Sequence, residues 1–285
     1  MARVLLSIGH GYTARALARI IMPDGWRVIG TTRSDESAGT LLSSGIDALV
    51  WPGSDLCDAI GQATHVLVSV PPGVEGDPVL QGERDQLLAH GKRLGWVGYL
   101  STTGVYGDHG GGWVDESTPP SPSTERGRRR VQAEAAWAKT GLPVHVFRLA
   151  GIYGPGRGPF RKVLDGRARR VIKAGQVFSR IHVSDIARIL KASMERPEPG
   201  TIYNVCDDEP APPEDVIACA ARLLGVPVPE AIPFDLAELS PMARSFYAES
   251  KRVSNRKVKA ELGVTLEFPD FRSGLAALLQ QADPG

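Results

Sequence analysis

The stretch SIGHGYTARALARI, residues 7–20, decides the fold. It closes an apolar run, VLLSI, and opens a segment in which Leu17, Ile20 and Ile21 recur at i, i+3 and i+4, one face of a helix. Between strand and helix stand Gly9, Gly11 and Ala14, in the order G-x-G-x-x-A. Each has a physical task. Gly9 permits a tight turn, Gly11 leaves the backbone open to close approach, and small Ala14 lets the helix pack on the strand. A helix starting here offers unpaired N–H groups and the positive end of its dipole. The pattern predicts dinucleotide binding, with Gly9, Gly11, Tyr12, Thr13 and Ala14 around the phosphates. The alternative is a βα turn that serves structure alone.

Working outward, runs of consecutive apolar residues predict strands at 3–8, 26–31, 48–51, 65–70, 96–100 and 144–149. Helix-like stretches at 12–22, 35–44, 79–94 and 125–140 alternate with them. Repeating strand–helix units imply right-handed crossovers and an α/β fold, a Rossmann-like doubly wound parallel sheet. After residue 150 the pattern loosens into helices at 184–195, 213–224 and 270–281 and a strand near 201–205, joined by proline-rich connectors. Ser123 or Thr124 is placed to cap the helix at 125–140.

Composition sets outer limits. The chain has 285 residues, 42% hydrophobic and 23% charged, with a net charge of +1. That size allows one large domain with a smaller lobe, and the near-neutral charge argues against a general nucleic-acid binder. Cys57, Cys206 and Cys219 form no C-x-x-C pair, which suits free thiols in a reducing compartment. The opening residues are too short an apolar run for a signal peptide, and nothing approaches a membrane span of about 18 apolar residues. The expectation is a cytoplasmic, enzyme-sized protein with neither membrane nor nucleic acid as partner. Charge is uneven, however. Residues 126–180 hold fourteen Arg and Lys against Glu134 and Asp165, while 206–249 hold nine acids against Arg222 and Arg244. The excess is either a solvated surface or a basic cleft for a small anionic ligand.

Two strand ends say more about the ligand. The second strand ends in VIGTTRS, where neutral Thr31 and Thr32 are followed by Arg33. An acidic residue there would hold the ribose hydroxyls of NAD. Arg33 instead suits a 2′-phosphate, which predicts NADP(H) over NAD(H). The fourth strand ends in VSVPPG, so Ser69, Val70 and Pro71 are expected along the cofactor.

The stretch YLSTTGVYGD, residues 99–108, supplies three consecutive hydroxyls before Val105-Tyr106-Gly107. With RLAGIYGPG (148–156), IHVSDIA (181–187), YNVCDD (203–208) and the glycine turn, it resembles the extended short-chain dehydrogenase/reductase superfamily, of the NAD-dependent epimerase/dehydratase type. The resemblance covers most of the chain. It implies a Rossmann domain of residues 1–157, with 181–206 returning to it. A smaller C-terminal α/β substrate lobe would comprise 158–180 and 207–285. It also implies that Ser101, Gly151 and Ile152 meet the cofactor and that Thr102 is the active-site hydroxyl.

The resemblance breaks at the Tyr-x-x-x-Lys pair on which the family's proton transfer rests. With Glu134 as the helix anchor, Arg126 stands at the tyrosine position and Arg130 at the lysine position. A guanidinium does not give up a proton near neutrality. Arg130 could meet the cofactor ribose and Arg126 an anionic group, or both could belong to a solvent-facing arginine surface. Tyr106 is then a candidate proton donor beside Thr102, with the arginines stabilising its phenolate; the alternative is a loop that only holds a ligand. His182 is a further candidate or else a structural hydrogen-bonder, His109 is expected on a mobile flap, and Arg148 is expected to order the loop of Tyr153. No metal-ligand spacing occurs. The leading expectation is an NADP(H)-dependent, epimerase-like oxidoreductase with a rebuilt proton-transfer apparatus. The alternatives are a silent NADP(H)-binding sensor and, more weakly, an interaction protein on a vestigial fold. A monomer or a homodimer paired through helices 79–94 and 125–140 fits either of the first two.

Overall fold

The computed structural model describes residues 2–240, 244 and 246–282. Seven strands form one parallel sheet: β1 (Val4–Ile8), β2 (Arg27–Thr32), β3 (Asp47–Val50), β4 (His65–Val68), β5 (Trp96–Thr102), β6 (Val144–Leu149) and β7 (Ile202–Val205). Their order is β7-β6-β5-β4-β1-β2-β3. The chain winds outward from β1 to β3, then returns to place β4 on the other side of β1. That reversal opens a crevice beyond the C-terminal ends of β1 and β4.

Alternation of side chains along each strand separates two cores. On one face Leu5 joins Leu17 and Ile21 of helix α1 (Tyr12–Ile21), with Trp96, Phe147 and Ile186. On the other face Leu6 and Ile8 meet Ile60, Val79, Leu87 and Trp137. These last four come from α3 (Cys57–Gln62), α4 (Pro78–Ala89) and α5 (Glu125–Ala138), while α2 (Asp35–Ser43) lies over β2 and β3. Both faces are covered, which is why the strands read as continuous apolar runs. A third cluster lies apart from the sheet. It joins Tyr153 and Val163 to Ala220, Phe271, Leu275 and Leu278, from the helices Phe160–Leu164, Pro213–Leu223 and Phe271–Ala282.

Boundaries differ from expectation where tertiary pairing decides them. β5 runs two residues past 100, because Ser101 and Thr102 pair with Arg148 and Leu149. α4 stops at Ala89 and a separate 3-10 turn, Gly91–Arg93, follows. Thr124 is the cap of α5, its Oγ1 accepting the Gly127 N–H at 3.1 Å.

The glycine turn 108–112 is a dock, which corrects the expectation of a mobile flap. The N–H groups of His109 and Gly111 donate to the Ser250 carbonyl at 3.1 and 2.9 Å, and the Ser250 N–H donates to Asp108 Oδ1 at 2.7 Å. His109 Nε2 meets the Tyr106 carbonyl at 3.1 Å. The pairing continues as a parallel ladder between Trp113–Val114 and Arg252–Val253. Among the described residues no helix is long and apolar enough to cross a membrane.

Candidate functional site

A cleft of about 810 Å³ opens over the C-terminal strand ends. At the end of β1 the turn is held by two bonds to Thr31: Gly9 N–H to its Oγ1 and His10 N–H to its carbonyl, both at 2.8 Å. Gly9 has φ 82, and a Cβ there would lie 2.8 Å from Val70 Cγ2. Gly11 is open, because only the Gly9 carbonyl oxygen comes within 4 Å of its missing Cβ. No side chain caps α1, and no acid sits in its first turn. The helix therefore presents bare N–H groups and its positive dipole end to the cleft, which fits the phosphates of a dinucleotide. Tyr12 closes this end, its hydroxyl donating to the Pro155 carbonyl at 3.0 Å, and the Arg157 guanidinium lies 5.8 Å over its ring.

Gly9, Gly11, Tyr12, Thr13, Ala14 and Ser69 all line the cleft, as do Ser101, Thr102, Gly151 and Ile152. Val70 and Pro71 lie outside the lining, with Val70 backing Gly9 instead. Arg33 is exposed just beyond β2, also outside it.

The hydroxyl loop divides its residues between cleft and core. Thr102 Oγ1 accepts the Gly104 N–H at 3.1 Å, which leaves its own proton to donate into the cleft. Ser101 Oγ donates to Glu134 Oε1 at 2.5 Å. Glu134 is in turn clamped by Arg148, with Nη2 to Oε2 at 2.7 Å and Nε 3.3 Å from each oxygen. Tyr106 is corrected as a proton donor. The 3-10 turn Thr103–Tyr106 tucks its ring under the sheet end, fully buried and away from the cleft. Its hydroxyl donates to Asn204 Oδ1 at 2.8 Å and accepts from Arg148 Nη1 at 2.9 Å. Burial pushes its pKa up, against the pull of Arg148. Arg148 thus braces Glu134 and Tyr106, and the Tyr153 hydroxyl bonds the Asp270 carbonyl instead.

Arg130 is buried in the cleft floor, its Nη1 donating to Tyr99 Oη at 2.9 Å and to the Leu100 carbonyl at 2.7 Å. Arg126 is exposed on the first turn of α5 and borders the cleft. Their neighbours Arg128, exposed, and Arg129, half-buried, pair with Glu125. His182 lies outside the lining and caps the helix Val183–Glu195, its Nδ1 accepting the Ser184 N–H at 3.2 Å. Burial holds its pKa down at about 4.

Sequence reasoning missed the far wall of the cleft, which includes Phe178, Arg180, Phe246, Glu249 and Lys251. Lys251 is 9% exposed, and its ammonium donates to the Gly107 carbonyl and to Glu249 Oε2, each at 2.7 Å. It is tied to the last residue of the very loop that carries Thr102. The one local signal was the glycine run 110–112, a backbone stripped to admit another chain segment. Among the described residues, and apart from arginines and hydroxyl groups of Ser and Thr, the titratable side chains lining the cleft are Tyr12, Glu249 and Lys251. These residues count five Arg and Lys against one carboxylate.

No family model matches the chain. A conserved protein of unknown function from Silicibacter pomeroyi is 57% identical, with a TM-score of 0.94 over 99% of this chain and 100% of that one. A provisionally named NAD-dependent epimerase/dehydratase from Methylobacillus flagellatus is 27% identical, with a TM-score of 0.72 over 99% and 98% of the two chains. Protein YeeZ of Escherichia coli K12 is 29% identical over 281 residues, 92% of this chain and 95% of that protein. A 3-diazoavenalumate denitrifying reductase from Streptomyces is 30% identical over 179 residues, 57% of this chain and 58% of that one. Other neighbours in fold are named as epimerases and dehydratases, some of them with NAD or NADPH bound.

Proposed function

We propose, for a chain that belongs to the same family as the conserved Silicibacter pomeroyi protein, an NAD(P)-dependent oxidoreductase of the epimerase/dehydratase type. NADP(H) is preferred, and the substrate is small and anionic. The observation that carries this is the sharing of one cleft by an open glycine turn, the Thr102 hydroxyl and the Lys251 ammonium. A bound nicotinamide supplies or accepts the hydride. The chain's own groups do the rest. The turn at Gly9–Ala14 and Arg157 hold the phosphates, and Arg33 takes the 2′-phosphate. Thr102 donates a hydrogen bond to the substrate oxygen, and Lys251 Nζ gives that oxygen its proton while Glu249 fixes the ammonium.

Titration with NADPH and NADH by protein fluorescence tests the cofactor. Arg33→Ala should weaken NADPH roughly tenfold or more and leave NADH unchanged; equal affinity for the two in the unaltered protein refutes the preference. Lys251→Met and Lys251→Arg should both lower turnover by about 10²–10⁴ with NADPH affinity retained, since a guanidinium keeps the charge but holds its proton. Full turnover in Lys251→Arg refutes that role.

The pair Arg126 and Arg130, standing where the family places its tyrosine and lysine, favours a second reading. This is a sensor that binds NADP(H) and turns nothing over. It predicts tight NADPH binding with no absorbance change at about 340 nm against any anionic carbonyl compound, and a partner response that follows the cofactor.

A further inference from the structure

Two guanidinium groups of the cleft have no polar partner among the described residues, and they stand at different strand ends. Arg157 lies over Tyr12, at the end of β1 where the phosphates are expected. Arg126 stands beside the Thr102–Gly104 loop at the end of β5; the two helices' first turns are so close that a Cβ on Gly127 would lie 2.9 Å from the Gly104 carbonyl. β1 and β5 are two strands apart, about 10 Å. One dinucleotide phosphate site therefore does not account for both.

The other cations are already occupied. Arg130 is bound to Tyr99 and Leu100. Arg180 donates to the Phe178 and Ala211 carbonyls, both at 2.9 Å. Lys251 is neutralised by Glu249 at 2.7 Å. Among the described residues Arg126 is thus the guanidinium at the β5 end without a hydrogen-bond partner, a fork that matches one carboxylate in two parallel hydrogen bonds. The same cleft is bordered by two phenyl rings, and the segment of Phe246 reaches the start of α5, where Ser123 Oγ donates to Glu249 Oε1. Phe178 is held edge-on by Tyr247 at 6.0 Å, and Phe246 is 56% exposed, a large apolar surface on the wall of a cationic cleft. Such a ring is suited to cover a flat apolar body.

We propose that this end of the cleft is a binding site for a planar aromatic monocarboxylate, its carboxylate on Arg126 and its ring against Phe246 and Phe178. The proposal rests on the cofactor reading above and narrows its anionic substrate to one class. Lys251 and Thr102 then face the functional group that the aromatic body carries.

The test is calorimetric titration of trans-cinnamate into the protein saturated with NADP+, where no turnover intervenes. Saturable one-to-one binding is expected, with cinnamyl alcohol at least tenfold weaker than cinnamate. Arg126→Met should lose roughly ten- to hundredfold in cinnamate affinity and Arg126→Lys less, because the fork is lost while the charge stays. Phe246→Ala should lose severalfold, and Phe246→Tyr should bind as the unaltered protein does. NADP+ affinity should stay constant throughout. The proposal is overturned if cinnamate fails to bind the NADP+-loaded protein, if cinnamyl alcohol binds as well, or if Arg126→Met binds cinnamate normally. Failure of NADP+ itself to bind is a different result, which removes the cofactor reading and this proposal with it.

Discussion

Replacing Arg148 by methionine should be among the most damaging single changes to stability, and the structure says by how much. The guanidinium and the Glu134 carboxylate keep only 3% and 9% of their side-chain surface. Met removes every contact that Arg148 makes to the Glu134 oxygens and the bond to Tyr106, and leaves the carboxylate with Ser101 as its donor. Breaking a buried pair from one side costs about 3–5 kcal/mol, chiefly the penalty of the stranded charge. For a chain of this size that is a fall in Tm of very roughly 6–15 °C. The double variant Glu134→Met/Arg148→Met should recover most of the loss, because an apolar pair of similar volume is often neutral. Urea unfolding followed by circular dichroism measures the single and the double variant. A loss under about 1 kcal/mol in Arg148→Met, or a double variant no more stable than the single one, refutes the account of this network.

Other perturbations give equally definite outcomes. Asp207 is buried, and its pKa is pushed up to about 8 by desolvation, so it favours the fold below about pH 4 and progressively opposes it up to pH 8; Asp207→Asn should stabilise the protein most at pH 8, progressively less as pH falls, and change little near pH 4, as read by thermal melts. His145 is sealed in the core against Trp96, and burial holds its pKa at about 4, so it favours the fold above about pH 6.5 and withdraws that support as pH falls toward 4. A His145→Phe variant should show a shallower loss of urea stability between pH 6.5 and 4.5. Gly107 has φ 71, and a Cβ there would overlap the Ser121 carbonyl oxygen; Gly107→Ala should cost more than about 2 kcal/mol in unfolding experiments, through strain and displacement of backbone.

Much of the sheet was legible because its strands are buried on both faces and its longer helices carry a clear apolar period. Leu17, Ile20 and Ile21 announced α1, and the G-x-G-x-x-A turn between β1 and α1 located the switch point of the sheet. The short elements were not legible. A three-residue strand such as Gly151–Tyr153 or Arg180–His182 has too few positions to show alternation, and it exists because each pairs with the other. Tyr106 was misread for a related reason. The motif placed it on the right loop, yet the inward fold of a 3-10 turn, and the waiting acceptor Asn204 on a strand 98 residues away, are facts of packing. Lys251 was invisible because nothing near it in sequence resembles a site. Its place in the cleft comes from a dock that lies 144 residues earlier.

That dock also has a consequence in time. A chain made at about 5–20 residues per second takes roughly 2–9 s to extend from the end of β7 to Lys251. During that interval all seven strands of the sheet and the glycine turn have been made, while the wall carrying Glu249 and Lys251 has yet to follow. The turn at 108–112 waits for the segment around Ser250, and the closing of that dock completes the far wall of the cleft.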